Sequence, residues 1–125
     1  MKNRFVIDIR MIGSSGIGTY IQNILCGILN NYKKTNIILL VNPYFDYSKI
    51  LRNFNSNNLK IITINSPIYS IGEQFEIYFK LIKYKIVLFW APHYNIPILL
   101  NANLLVTIHD IWHIVDKSPV RFLRN

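Results

Sequence analysis

Among its 125 residues the chain has a single cysteine, Cys26, so no internal disulfide can form. That usage suits the reducing cytosol and excludes a disulfide-stapled secreted scaffold, so a cytoplasmic location is expected. Long apolar runs are also missing. A membrane-spanning helix needs about 20 consecutive apolar residues. The longest stretches here, such as Ile86 to Pro92, Ile96 to Leu100 and Leu104 to Ile108, fall well short. The N-terminus opens like a secretory leader with Lys2, Arg4 and then Phe5-Val6-Ile7, but Asp8 and Arg10 interrupt it and no small-residue cleavage site follows. Acidic residues are scarce: Lys and Arg outnumber Asp and Glu by 14 to 6, a net charge of +8. Such an excess points to an anionic partner, whether phosphate, nucleic acid or an acidic membrane face. The abundance of Ile, Asn, Lys and Tyr gives the excess a second explanation, base-composition drift.

What the chain does have is apolar residues in short blocks, 51% of the total. The length fits one domain with a single core. Phe5 to Arg10 reads as a strand that stops at a Gly/Ser loop over 11–18. A helix follows, with Ile17, Ile21, Ile24, Leu25, Ile28 and Leu29 recurring at three- and four-residue steps, and Lys33-Lys34 close it. Ile37 to Val41 is a continuous run, as expected of a strand buried on both faces of a parallel sheet. A short helix over 46–54 is expected, then a strand from Leu59 to Ile64. Ser70 and Glu73 have the spacing of a capping box for a second main helix. Its apolar face is predicted to be Ile71, Phe75, Tyr78, Phe79 and Ile82. Ile86 to Ala91 and Leu104 to Ile108 read as two further strands, and Ser118-Pro119 as the start of a last helix. Alternating strands and helices imply right-handed βαβ units. The expected fold class is therefore α/β, a Rossmann-like parallel sheet with helices on both faces.

The unusual residues fall just after strands, where open α/β sheets bind ligands. Gly13, Gly16 and Gly18 lie between a strand and a helix, where backbone N–H groups and the helix dipole attract an anion. The loop is not a P-loop, since no Gly-Lys-Ser/Thr follows. It also departs from the dinucleotide fingerprint: Ile21 stands where a third small residue belongs, and Asn42 stands where a ribose-binding acid would. An ordinary tight turn is the alternative reading.

In 92–97, two prolines bracket His93, Tyr94 and Asn95 and stiffen their presentation. An aromatic ring, an amide and an imidazole together suit a sugar, although a rigid connector would look the same. His109-Asp110-Ile111-Trp112-His113 has the histidine spacing of a zinc protease. It lacks the Glu base and a third ligand, and it starts at a strand end, so no metal site is expected. His109 is better placed at a strand tip, with Asp110 setting its tautomer or charge, where it would bond a sugar hydroxyl or stabilise developing positive charge. A buried histidine without chemistry is the alternative. Lys80, Lys83 and Lys85 end the second main helix and would suit an anionic bilayer, or simply a solvated helix end. Glu73 and Glu76 fall on different sides of that helix, which gives paired-carboxylate catalysis little support. No nucleic-acid-binding module is present, so no nucleic-acid partner is expected.

Taken in order, five segments resemble the N-terminal domain of family 4 glycosyltransferases, especially the bacterial mannosyltransferase-like members. They are Ile7-Asp8-Ile9-Arg10-Met11-Ile12, the loop from Gly13 through Thr19-Tyr20, Ser70-Ile71-Gly72-Glu73-Gln74, Ala91 to Pro97, and Val106-Thr107-Ile108-His109-Asp110. The resemblance runs from about Ile7 to Val115. It implies a GT-B enzyme with two Rossmann-like domains across a cleft, transferring a hexose such as mannose from a nucleotide sugar with retention and without an essential metal or cofactor. The acceptor, a glycan or a lipid-linked sugar, would meet the N-terminal domain. By position, Gly16 and Gly18 would approach the donor diphosphate, His109 and Asp110 would flank the reacting sugar, and His93, Tyr94 and Asn95 would line the acceptor side. The donor-holding C-terminal domain is not contained in these residues, and the last helix is cut short. The chain is therefore expected to be an acceptor-side half, inactive alone, with a separate C-terminal half and the inner face of an anionic membrane as candidate partners. The alternative is a non-catalytic module that binds a phosphorylated ligand through the glycine loop.

Overall fold

A computed structural model of the chain describes residues 2–52, 54, 57–93 and 95–107. The order of elements is β1 (Asn3–Asp8), α1 (Ser15–Asn31), β2 (Ile37–Val41), α2 (Ser48–Leu51), β3 (Leu59–Thr63), α3 (Ile71–Leu81), β4 (Lys85–Ala91) and β5 (Asn103–Val106). The five strands form one sheet in the order β3-β2-β1-β4-β5, and every pairing is parallel. This is the expected α/β, Rossmann-like arrangement. The chain winds outward from β1 through β2 to β3, then returns to lay β4 on the other side of β1. The switch point is therefore the gap between β1 and β4, where open sheets of this kind form a ligand crevice.

Side chains alternate across a strand, so a strand buried on both faces feeds two cores. All five residues of β2 are buried. Ile37, Leu39 and Val41 face Ile21, Leu25 and Leu29 of α1, together with Ile7, Ile9 and Trp90. Ile38 and Leu40 face Ile77 and Leu81 of α3, together with Val6, Ile64 and Phe89. Beside α1 the first core opens into a groove of about 710 Å³ lined by residues such as Phe5, Tyr20, Ile24, Leu88, Trp90 and Leu105.

Four expectations are corrected. The apolar face predicted for α3 is turned outward: Ile71, Phe75, Phe79 and Ile82 are exposed, with Phe79 at 67%, whereas Glu73, Ile77 and Leu81 are buried. Positions 73, 77 and 81 share one helical face, and 71, 75, 79 and 82 share another. Apolar content alone favours the second, but Glu73 has an ionic partner inside the protein. The capping box is also only half formed. The Ser70 hydroxyl accepts from the Glu73 backbone N–H at 3.1 Å, but the Glu73 carboxylate is committed to Arg10 and Asn95 instead of returning to the cap. The helix expected over 46–54 contracts to α2, and Arg10 lies in the turn after β1, not within the strand.

The reversed face sets opposite costs for two neighbouring substitutions. Ile77→Ala empties a buried site and should cost about 2–5 kcal/mol. Phe79→Ser should cost no more than about 1.5 kcal/mol, because the ring is mostly exposed and what it loses is an edge-on contact with Tyr78 at 5.3 Å. Urea unfolding of the two variants measures both values, and the opposite ranking would mean that the helix is turned the other way.

Candidate functional site

The switch point is occupied by a buried polar cluster. β1 ends at Asp8, which is 0% exposed, and Arg10 follows in the turn at 3%. The Arg10 guanidinium donates to both Asp8 oxygens, Nε to Oδ1 at 2.9 Å and Nη2 to Oδ2 at 2.6 Å. Its remaining arm, Nη1, donates to Glu73 Oε2 in the first turn of α3. A planar fork of donors suits this two-carboxylate arrangement, and lysine could not reproduce it. The loop after β4 closes the cluster from the other side of the gap. Asn95 donates from Nδ2 to Glu73 Oε1 at 2.6 Å, and its backbone N–H donates to His93 Nδ1 at 3.2 Å. His93 Nε2 faces Asp8 Oδ2 at 3.2 Å. With Nδ1 accepting, the ring proton belongs on Nε2 and is donated to Asp8. Among the described residues no buried side-chain nitrogen or oxygen lacks a partner.

Burial alone would raise the Asp8 pKa, but the hydrogen bonds from Arg10 and His93, with the charge of Arg10, outweigh it and hold the carboxyl well below the usual aspartate range. Burial would likewise lower the Arg10 pKa, and the bond and charge of Asp8, then of Glu73, hold it above the ordinary arginine value.

The glycine loop leaves β1 beside this cluster and enters α1. No glycine of the described residues has positive φ, so backbone conformation requires none of them, and the space beside each is what distinguishes them. A Cβ on Gly18 would lie 2.2 Å from the Ile12 carbonyl oxygen, so only glycine lets the first turn of α1 pack this tightly on the preceding turn. A Cβ on Gly16 would meet nothing within 4 Å. Its bare backbone faces open space at the start of α1, whose first turn holds no acidic residue. The Asn42 side chain, at the end of β2, donates to the Arg10 carbonyl oxygen at 2.9 Å, which ties the two strand ends together.

Of the residues singled out in the sequence, Gly16, Gly18, His93 and Asn95 thus collect beyond the carboxyl ends of β1 and β4. His93 is only 2% exposed and uses both ring nitrogens inside the protein, so a sugar hydroxyl would have to displace one of those bonds. Tyr94, Ile108, His109, Asp110, His113 and the helix expected after Ser118 lie outside the described residues. Asp8, Arg10 and Glu73, the centre of the cluster, were not picked out as site residues. A charged pair interrupting an otherwise apolar strand was their visible signal. Among the described residues, no group of three His, Cys, Asp or Glu side chains could hold a metal ion. No protein-family model matches the chain, and neither a curated protein nor a solved structure does.

The cluster makes stability depend on pH in a set direction. Asp8 has a depressed pKa in the folded state, so its contribution is complete above its unfolded value of about 3.9 and is lost as pH falls below it. Asp8→Asn should cost about 3–5 kcal/mol near neutrality, as breaking a buried ion pair does. The gap to the parent should stay constant above about pH 5 and shrink below about pH 4, as read from urea midpoints across pH. A gap independent of pH would mean that Asp8 is not ionised in the folded protein.

The two loop glycines should separate cleanly. Gly18→Ala drives a methyl group into a backbone oxygen and should lower stability by more than about 2 kcal/mol, while Gly16→Ala should leave it within about 1 kcal/mol. Thermal melts of the two variants decide, and equal losses would remove the packing role given to Gly18.

Proposed function

We propose that the chain is the acceptor-side, Rossmann-like half of a retaining, family 4-like glycosyltransferase that moves a hexose, mannose being the first candidate, from a nucleotide sugar to a glycan or lipid-linked acceptor. The observation that carries this reading is the convergence of the 13–18 and 92–97 loops on the β1/β4 switch point. Two of the five segments that resemble the family are those loops. The segment around Ile7 to Ile12 and the one around Glu73 supply the ion cluster between them.

On this reading the residues divide the work. The backbone at Gly16, open to approach at the positive end of α1, receives the donor diphosphate, and Gly18 allows the helix to start that close. The Asp8–Arg10–Glu73 cluster holds His93 and Asn95 of the loop after β4, and the reading gives His93, Tyr94 and Asn95 the acceptor. His109 and Asp110 follow β5 in the chain, and the reading gives them the reacting sugar. In the transfer, the bond from the anomeric carbon to the diphosphate oxygen breaks. A bond to an acceptor hydroxyl forms on the same face, and the hydroxyl proton leaves with the diphosphate. Holding two substrates in reacting geometry can supply about 7–11 kcal/mol of the barrier. A GT-B enzyme divides that holding between two domains, so activity is expected only in the presence of a donor-holding half. The open space over Gly16 equally suits a binding module for a phosphorylated ligand, which is the second reading.

The test is transfer of radiolabelled hexose from nucleotide sugars by the protein together with its donor-holding half. Gly16→Val and His109→Ala should each lower transfer by about a hundredfold, the scale of a misplaced reactant, without lowering the melting temperature. Undiminished transfer in both variants would overturn the site assignment. Absence of transfer, with phosphate-ligand binding that is lost in Gly16→Val, would establish the binding module instead.

A further inference from the structure

Helix α1 carries no charged residue in any of its 17 positions. Ile21, Leu25 and Leu29 form the row that it buries in the core. A second row, Tyr20, Ile24, Ile28 and Tyr32, recurs at four-residue steps and lines the groove beside the helix. This row stays accessible: Ile24 is 40% exposed and Tyr32 60%. Across the groove stand Trp90 of β4 and Leu105 of β5, the latter half exposed. Thr35, before β2, and Thr107, after β5, both line it, so the groove runs from one end of the sheet to the other. Along α1 that is about 18 Å from Tyr20 to Tyr32, at 1.5 Å per residue.

The volume of about 710 Å³ falls in the range of small-molecule sites, roughly 300–1,000 Å³, which are mainly apolar with a few polar groups. No charged residue lines the groove. The Trp90 indole N–H is already donated to Thr107 Oγ1 at 3.0 Å, so it is not offered to a ligand. A long uncharged trough suits a hydrocarbon chain. Its end at the amino side of β2 is different. Lys33 and Lys34, both exposed, stand between the groove residues Tyr32 and Thr35. The acidic groups of the described residues are engaged elsewhere: Asp8 and Glu73 with Arg10, Glu76 with Lys80, and Asp46 with Ser48. An apolar trough with cations at one end is complementary to an anionic amphiphile.

We propose that this groove binds one long-chain fatty acid, with its tail along Ile24, Ile28, Trp90 and Leu105 and its carboxylate beside Lys33 and Lys34. A trough between a helix and a sheet takes a single dissolved molecule, and the flat face of a bilayer does not enter it. A second copy of the chain is a poorer occupant, since each carries a net charge of +8 and pairing would bring like charges together. The carboxylate end lies at the amino ends of the strands, whereas the glycine loop and the ion cluster lie at their carboxyl ends. The proposal is therefore independent of sugar transfer, and its test contains no sugar.

The experiment is calorimetric titration of the purified protein with myristate below its micellar concentration, alongside ultracentrifugation without ligand. Saturable binding of one molecule per chain is expected. Laurate, two methylenes shorter, should bind about fifteenfold more weakly, the equivalent of about 0.8 kcal/mol for each buried CH₂. Ile24→Asp and Leu105→Asp, on opposite walls, each set a carboxylate against the tail and should weaken binding about tenfold or more while keeping the parent's melting temperature. Replacing both lysines, Lys33→Gln with Lys34→Gln, should weaken it about fivefold, the worth of an exposed ion pair. Phe79→Ser, on the outward face of α3, should leave it unchanged. Absence of binding, equal affinity for laurate, or affinity indifferent to both wall variants would overturn the proposal. Tetradecanol binding as tightly as myristate would overturn the role given to the two lysines. A concentration-dependent dimer that Ile24→Asp disperses would give the groove to a second copy instead.

Discussion

A buried guanidinium ties this fold together at the carboxyl ends of β1 and β4. Arg10 is withdrawn from water, and removing a charge from solvent costs several kcal/mol unless its partners are close and well aligned. Two carboxylates meet that condition, Asp8 beneath it and Glu73 across from it. Each carboxylate then binds a residue of the loop after β4, Asp8 through His93 and Glu73 through Asn95. One cation therefore connects the end of β1, the first turn of α3 and the loop after β4. These are parts of the chain distant in sequence that must meet for the crevice at the switch point to have a fixed shape.

The orientation of α3 follows from the same pairing. A helix that buried Ile71, Phe75 and Phe79 would remove more apolar surface from water, but it would carry Glu73 out of the interior and leave Arg10 with a single partner. Ionic satisfaction thus outweighs apolar content in choosing the buried face, and the displaced apolar residues become surface. The glycine loop is shaped by a separate constraint, the close approach of Gly18 to the Ile12 carbonyl, which brings the start of α1 down to the crevice while Gly16 stays uncovered.

Much of the fold was legible along the chain because burial on both faces of a parallel sheet leaves a plain trace. The uninterrupted run Ile37 to Val41 is β2 to the residue, and the breaks at Asn42-Pro43 and Ser66-Pro67 follow strand ends. The candidate site was legible only in part. Glycines and prolines after strands identify which loops matter, since they act through local backbone geometry. The ionic cluster joins residues 8, 10, 73, 93 and 95, and no spacing rule connects such distant positions. His93 shows the difference: it stands out as a polar residue in a stiff loop, yet its burial and its bond to Asp8 come from the neighbouring strand.

The chain's own pattern determined its class of fold, its strands and main helices, and the loops that carry polar residues, because these depend on periodicity, turn chemistry and β-branched runs within a few residues of one another. Tertiary structure decided which strands are neighbours at the switch point, which face of α3 is buried, and which partners Asp8, Arg10 and Glu73 find. Those outcomes rest on pairing between distant residues and on the cost of burying charge, quantities that exist only once the chain has closed on itself.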